Sequence, residues 1–168
     1  MWRNVDAPGR TAGAHRKKGR EGMTAVPVVV GVDGSEESRL ALRWAVDYAQ
    51  MSGAPVEAVI AWEIPPTYGL APSYDDVDFE KMAQETLEET IRSVLGDSAL
   101  VTLRVERGHP APVLITSSEH AQLLVVGSRG HGAFSGMLLG SVSQHCVHQA
   151  HCPVVVIRRP NGEPGPGR

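Results

Sequence analysis

The sequence predicts an α/β fold, an open doubly wound sandwich in which a parallel sheet carries helices on both faces. Two patterns predict it. The run "VPVVVGVD" at residues 26–33 is apolar and β-branched without alternation, as in a strand buried on both faces. Further apolar runs follow, separated by stretches with helical spacing, and strands separated in this way form a parallel sheet with right-handed crossovers.

Within 35–53, Leu40, Ala41, Trp44, Ala45, Tyr48 and Ala49 recur at helical spacing, with Ser35 as N-cap, Ser38 at the third position and Gly53 as the stop. "VEAVIAWEI" at 56–64 is a second strand, and an insertion rich in Pro, Tyr and Gly follows from Pro65 to about Asp76. Its Tyr68 and Tyr74 read either as a flexible lid over the ligand edge or as loop surface. A helix over 78–95 leads to a third strand, "ALVTLRVERG", at 99–108. "PAPVLITSSEH" at 110–120 opens a short helix, since proline is tolerated in a first helical turn. "AQLLVVG" at 121–127 is the fourth strand, a helix covers 141–149, and "CPVVVIR" at 152–158 is the last strand.

Open parallel sheets bind ligands beyond the carboxyl ends of their strands, where the strand order reverses. Both "GVDGS" at 31–35 and "GSRGHG" at 127–132 follow strands and are expected on that edge. In the second loop Gly127, Gly130 and Gly140 are separated by two and nine residues, and Ser141 follows. Such glycines permit positive φ angles and let the backbone approach a ligand with no Cβ in the way. Ser141, Val142 and Ser143 begin a helix whose free N–H groups and dipole favour an anion, so a polyphosphate is the expected guest. The Walker A lysine is missing, because Leu139 precedes Gly140 and Ser141, and the first turn lacks the dinucleotide fingerprint. Retention of a nucleotide is therefore expected over its efficient hydrolysis.

Composition bounds the rest. A chain of 168 residues with 42% hydrophobic and 21% charged residues is of a size for one globular domain. Residues 1–22 hold six Arg or Lys against two acids, which leaves a net negative body, a poor match to nucleic acid. The expected division is a disordered leader over 1–23, one domain over 24–159 and a frayed Pro- and Gly-rich tail over 160–168. No apolar run approaches the length of a spanning helix, and Cys146 and Cys152 make no secreted disulfide framework, so a cytoplasmic protein with no membrane association is expected.

The stretch "GSRGHGAFSGMLLGSVS" at 127–143 matches the Gly-x2-Gly-x9-Gly-Ser/Thr signature of the universal stress protein family in its ATP-binding branch. "VVGVDGSEESRLALRWAVDYA" and "HCPVVVIR" support the resemblance, which spans roughly residues 26–158. It implies a five-stranded sheet of order 3-2-1-4-5, ATP as ligand with Mg or Mn accompanying it, and a homodimer formed through the last strands. The implied nucleotide site comprises Gly31, Asp33, Ala61, Gly127, Ser128, Arg129, Gly130, His131, Gly132, Gly140, Ser141, Val142 and Ser143. Asp33 would lie near base and ribose, Ala61 would line the adenine site, and the loop would surround ribose and phosphates. Ala61 stands where valine is common in the family, and the insertion after Pro65 varies; neither removes a phosphate ligand.

Plainer readings stand beside these. Asp33 is also a natural turn residue, Arg129 a solvated loop side chain, and His131 a residue any loop tolerates. The segment "HCVHQAHC" holds His145, Cys146, His148, His151 and Cys152, yet its cysteines lie six apart and lack the usual paired spacing, so no metal site is expected. Val154, Val155, Val156 and Ile157 would form an apolar strand at the sheet edge, which invites mutual strand addition in a homodimer. Function is expected to be nucleotide-dependent regulation of a stress or dormancy response. A weak ATPase, autophosphorylation at Ser141 or Ser143, and a module that binds cyclic AMP or gates an interaction remain open.

Overall fold

The computed structural model describes residues 25–64, 77–97, 100–131 and 138–159. The expected leader and tail, the insertion with Tyr68 and Tyr74, and Gly132 lie outside the described residues. Nine elements follow one another: β1 (Val28–Gly31), α1 (Glu36–Ser52), β2 (Val56–Trp62), α2 (Phe79–Leu95), β3 (Val101–Arg107), α3 (Pro110–Ser118), β4 (Leu123–Gly127), α4 (Ser141–Gln149) and β5 (Val154–Ile157). The strands form one parallel sheet of order β3-β2-β1-β4-β5.

Local chemistry sets the helix ends. Ser35 caps α1 by accepting the Ser38 amide at 3.2 Å, and the Ser38 hydroxyl donates to the Ser35 carbonyl at 2.9 Å. Gly53 ends the helix at φ 70°, in the left-handed region where a Cβ is penalised. Asp78 caps α2 by accepting the Lys81 amide at 3.0 Å. Proline opens α3, where its missing N–H removes no helical bond.

The period-two alternation of the strands sorts the sheet into two cores. Val28, Val30 and Val32 face α1 and α2, and they pack with Leu42, Ala45, Leu87 and Ile91. Val29 turns the other way with Val59, Leu124 and Val126, toward Leu114 of α3 and Cys146 of α4. Continuous valine in β1 thus reflects burial on both faces, as the sequence indicated. β1 ends at Gly31 rather than Asp33 because the Asp33 amide leaves the ladder and turns toward the Ser38 hydroxyl, 3.4 Å away.

Candidate functional site

At the carboxyl end of the sheet, on the α3 and α4 face, lies a cavity of about 520 Å³. Its existence follows from residue size along the strand ends. On this face the terminal positions are Gly31 of β1 and Ala61 of β2, whereas the opposite face has Val30, Val32, Ile60 and Trp62 filling the same level. One wall comprises Val59, Ala61, Pro110, Leu114 and Val126, all apolar. Asp33, Arg129, Gly130, His131, Gly140, Ser141, Val142 and Ser143 supply the polar side.

Asp33 sits between the two loops of this edge. Its carboxylate accepts the Ser35 amide at 3.0 Å and the Ser35 hydroxyl at 2.6 Å through Oδ1, and the His131 amide at 3.1 Å through Oδ2. Partial desolvation opposes ionisation, but the donors from Ser35, Ser38 and His131 outweigh it, so the carboxyl lies below its ordinary value. Asp33 therefore ties the first turn to the glycine loop as an anion.

The loop glycines work through the absence of Cβ and not through unusual φ. Gly127, Gly130 and Gly140 all lack positive φ; among the described residues only Gly34, Gly53, Gly96 and Gly108 have it. A Cβ on Gly127 would stand 2.9 Å from the Glu37 carbonyl carbon, so this glycine admits the first turn of α1 against β4. A Cβ on Gly130 would run into Asp33 Oδ2, and one on Gly31 would stand 2.8 Å from Leu114 Cδ1. Gly140, at φ −75°, caps α4 and leaves ordinary room for a side chain. The positive φ angles expected from the glycine spacing are thus replaced by close approach of protein to protein.

Ser128 is buried and is absent from the cavity lining, although the sequence grouped it with the site. Its backbone is structural: its carbonyl accepts the Gly140 amide at 2.7 Å and the Ser143 hydroxyl at 2.9 Å, and its amide donates to Ile157 at 2.7 Å. These bonds close the loop onto the start of α4. They also fix the Ser143 hydroxyl in the interior, while Ser141 is exposed at the cavity mouth.

The histidine and cysteine segment does not converge. Cys146 is buried under α4, where desolvation pushes its thiol up to about 11; the His145 ring contacts the Ser141 carbonyl, and His151 pairs with Glu119 at 3.8 Å. Val154, Val155, Val156 and Ile157 form the edge strand and are each half-buried. Sequence reasoning missed Val32, Ser38, Val59, Pro110, Leu114 and Val126 as lining residues. The signal for Val59 was its position two residues before Ala61, which puts both on one face. Glu37, 3.4 Å from Arg129, was also missed, since nothing in sequence brings two residues 92 positions apart together.

Comparison with known proteins gives this architecture its relatives. The model of the universal stress protein family matches residues 26–158. The chain belongs to the universal stress protein family. It is 37% identical over 147 residues to a universal stress protein of Mycolicibacterium smegmatis, covering 79% of this chain and 46% of that protein. The chain spans about half the length of the curated relatives it matches. Among solved structures, a universal stress protein in complex with cAMP is 26% identical with TM-score 0.59, over 80% of this chain and 98% of the other. One from Archaeoglobus fulgidus in complex with dAMP is 26% identical with TM-score 0.56, over 80% and 99%. Nucleotide binding thus occurs among structural relatives of this universal stress protein domain. Among the described residues, no helix is long and apolar enough to cross a membrane.

Proposed function

We propose that this chain binds ATP in the cavity at the carboxyl end of the sheet and acts as a nucleotide-dependent regulator of a stress or dormancy response. The observation that carries this reading is the division of one cavity of about 520 Å³ into an apolar wall and a polar rim. Val59, Ala61, Pro110, Leu114 and Val126 offer the adenine an apolar slot, with Gly31 and Asp33 beside base and ribose. The amides opening α4, the Ser141 hydroxyl, Arg129, Gly130 and His131 face the phosphates, in keeping with the affinity of helix N-termini for anions. Gly127, Gly140, Val142 and Ser143 shape the same rim, while Ser128 acts through its backbone.

Mg or Mn would enter with the triphosphate and screen its charge. Among the described residues no group of three or more His, Cys, Asp or Glu is placed to hold a metal, so phosphates and water would supply most ligands. The chain acts here as a binder and not as an efficient hydrolase. Asp33, the one carboxylate among the described lining residues, is occupied by three donors and held ionised below its ordinary value, which makes it a weak general base. Of the two serines that autophosphorylation would use, only Ser141 is exposed. The relative in complex with cAMP supports a second reading, in which the cavity takes a cyclic monophosphate. Homodimerisation through Val154–Ile157, the edge strand among the described residues, in a cytoplasmic setting, completes the proposal.

Isothermal titration calorimetry of nucleotide-stripped protein with ATP, ADP and cAMP in the presence of Mg tests it. Saturable ATP binding is expected, weakened in Ser141→Ala and in Gly140→Ala, where the structure has room for the added methyl. Saturation by cAMP alone would move the assignment to the second reading, and no binding of any nucleotide would overturn both.

A further inference from the structure

Arg129 is the one permanently charged cation among the described lining residues of the cavity, and its charge is already engaged. Its Nη2 lies 3.4 Å from Glu37 Oε1, with the two side chains 34% and 16% exposed, so the pair is only partly screened by water. Glu37 is fixed from two directions. It stands in the first turn of α1, where the helix dipole stabilises a carboxylate, and its backbone is pressed against Gly127 in a gap that a Cβ would fill. Arg129 lies two residues beyond that contact, on the rim next to Gly130 and Ser141.

We propose that Glu37 is a specificity-determining residue of the site: it competes with ligand phosphates for the Arg129 guanidinium and so discriminates among adenine nucleotides by phosphate charge. The proposal rests on the nucleotide reading above and goes beyond it, because Glu37 is not among the lining residues of the cavity. A nucleoside monophosphate reaching only the Gly130 and Ser141 amides leaves the pair intact. A triphosphate must draw Arg129 from Glu37 or share it. Glu37 thereby lowers affinity most for the most highly charged ligand.

The test compares ATP, ADP and AMP binding by calorimetry in the parent, Glu37→Gln, Arg129→Gln, the double variant and Glu36→Gln. Glutamine keeps the length and an acceptor oxygen while removing the charge. Glu36, in the same helical turn, pairs with Arg159 at 3.7 Å and controls for a general change in helix charge. Glu37→Gln is expected to tighten ATP about three- to tenfold, ADP about twofold, and AMP by less, on the scale of one partly screened charge. Glu36→Gln is expected to leave the ranking unchanged. The gain should largely vanish in the Arg129→Gln background, since simple repulsion would be additive and competition for the guanidinium is not.

Equal shifts for all three nucleotides, no shift, or an additive cycle would overturn the proposal while leaving the nucleotide reading in place. A parent that binds none of the three nucleotides would overturn both. Thermal melts of each variant separate a merely structural role, which would lower the melting temperature without grading affinity by phosphate number.

Discussion

The two faces of the sheet solve different problems with the same strands. On the α1 and α2 face, Val30, Val32, Ile60 and Trp62 carry side chains up to the carboxyl end, and Leu42 and Leu87 are fully buried against them. On the α3 and α4 face, Gly31 and Ala61 occupy the corresponding ends, and the core stops short of the edge. One face is therefore filled for stability, and the other is left open where ligands of such sheets bind. Truncation and filling on the two faces should have opposite signatures.

The largest effect is expected on the filled face. Leu42→Ala or Leu87→Ala should cost about 3 kcal/mol or more in urea denaturation, because each leaves a void among tightly packed neighbours. Leu114→Ala, next to an existing cavity, should cost about half of that on the same scale yet weaken ATP binding, which the other two should not do at equal folded fraction. An equal stability cost at Leu114 would mean that this face is packed as tightly as the other.

Filling is the converse. Ala61→Leu should change stability by no more than about 1 kcal/mol, since room exists for the added atoms, and should abolish ATP binding in calorimetry. Retained affinity would place the nucleotide elsewhere.

A smaller effect is expected at the turn joining the faces. Ser35→Ala removes the α1 cap and the hydroxyl donor to Asp33, at a cost of about 1 kcal/mol by denaturant titration. The Ser35 amide bond to Asp33 survives the change, so only the hydroxyl contributions are lost.

The pH dependence sharpens the role of Asp33. Its folded value lies below the ordinary 3.8, so the stability it contributes is fully present above that value and is lost as pH falls through the depressed one. Asp33→Asn should flatten the acid limb of a stability–pH curve, and an unchanged limb would count against the three-donor arrangement. The smallest effect concerns thiol reactivity. With Cys146 buried and its thiol raised to about 11, labelling of the native protein by a maleimide at neutral pH should reach Cys152 first, as peptide mapping would show.

Much of the architecture was legible because β-branched runs and helical spacing are local signals. The caps at Ser35 and Gly53 were readable for the same reason, as each depends on a few adjacent residues. The strand ends were less so: β1 stops at Gly31 because the Asp33 amide turns to the Ser38 hydroxyl, a competition that strand propensity does not register. The glycine loop pointed to the edge where the cavity lies, but the reason for its glycines depends on tertiary contacts, Gly127 with Glu37 and Gly130 with Asp33. Likewise the apolar wall drew Pro110 and Leu114 from α3, an element with no motif of its own. Ser128 illustrates the reverse case, a residue inside the motif whose carbonyl serves the fold.

The open face at the carboxyl end is the proposed nucleotide site. Amide chemical-shift mapping in a two-dimensional proton–nitrogen spectrum, titrated with Mg-ATP, tests it most directly. Gly31, Asp33, Ala61, Arg129, Gly130, His131 and Ser141 to Ser143 are expected to shift together with one affinity, while the far side of α2 stays still. Shifts absent from these amides, or gathered instead along α2 and β3, would contradict it.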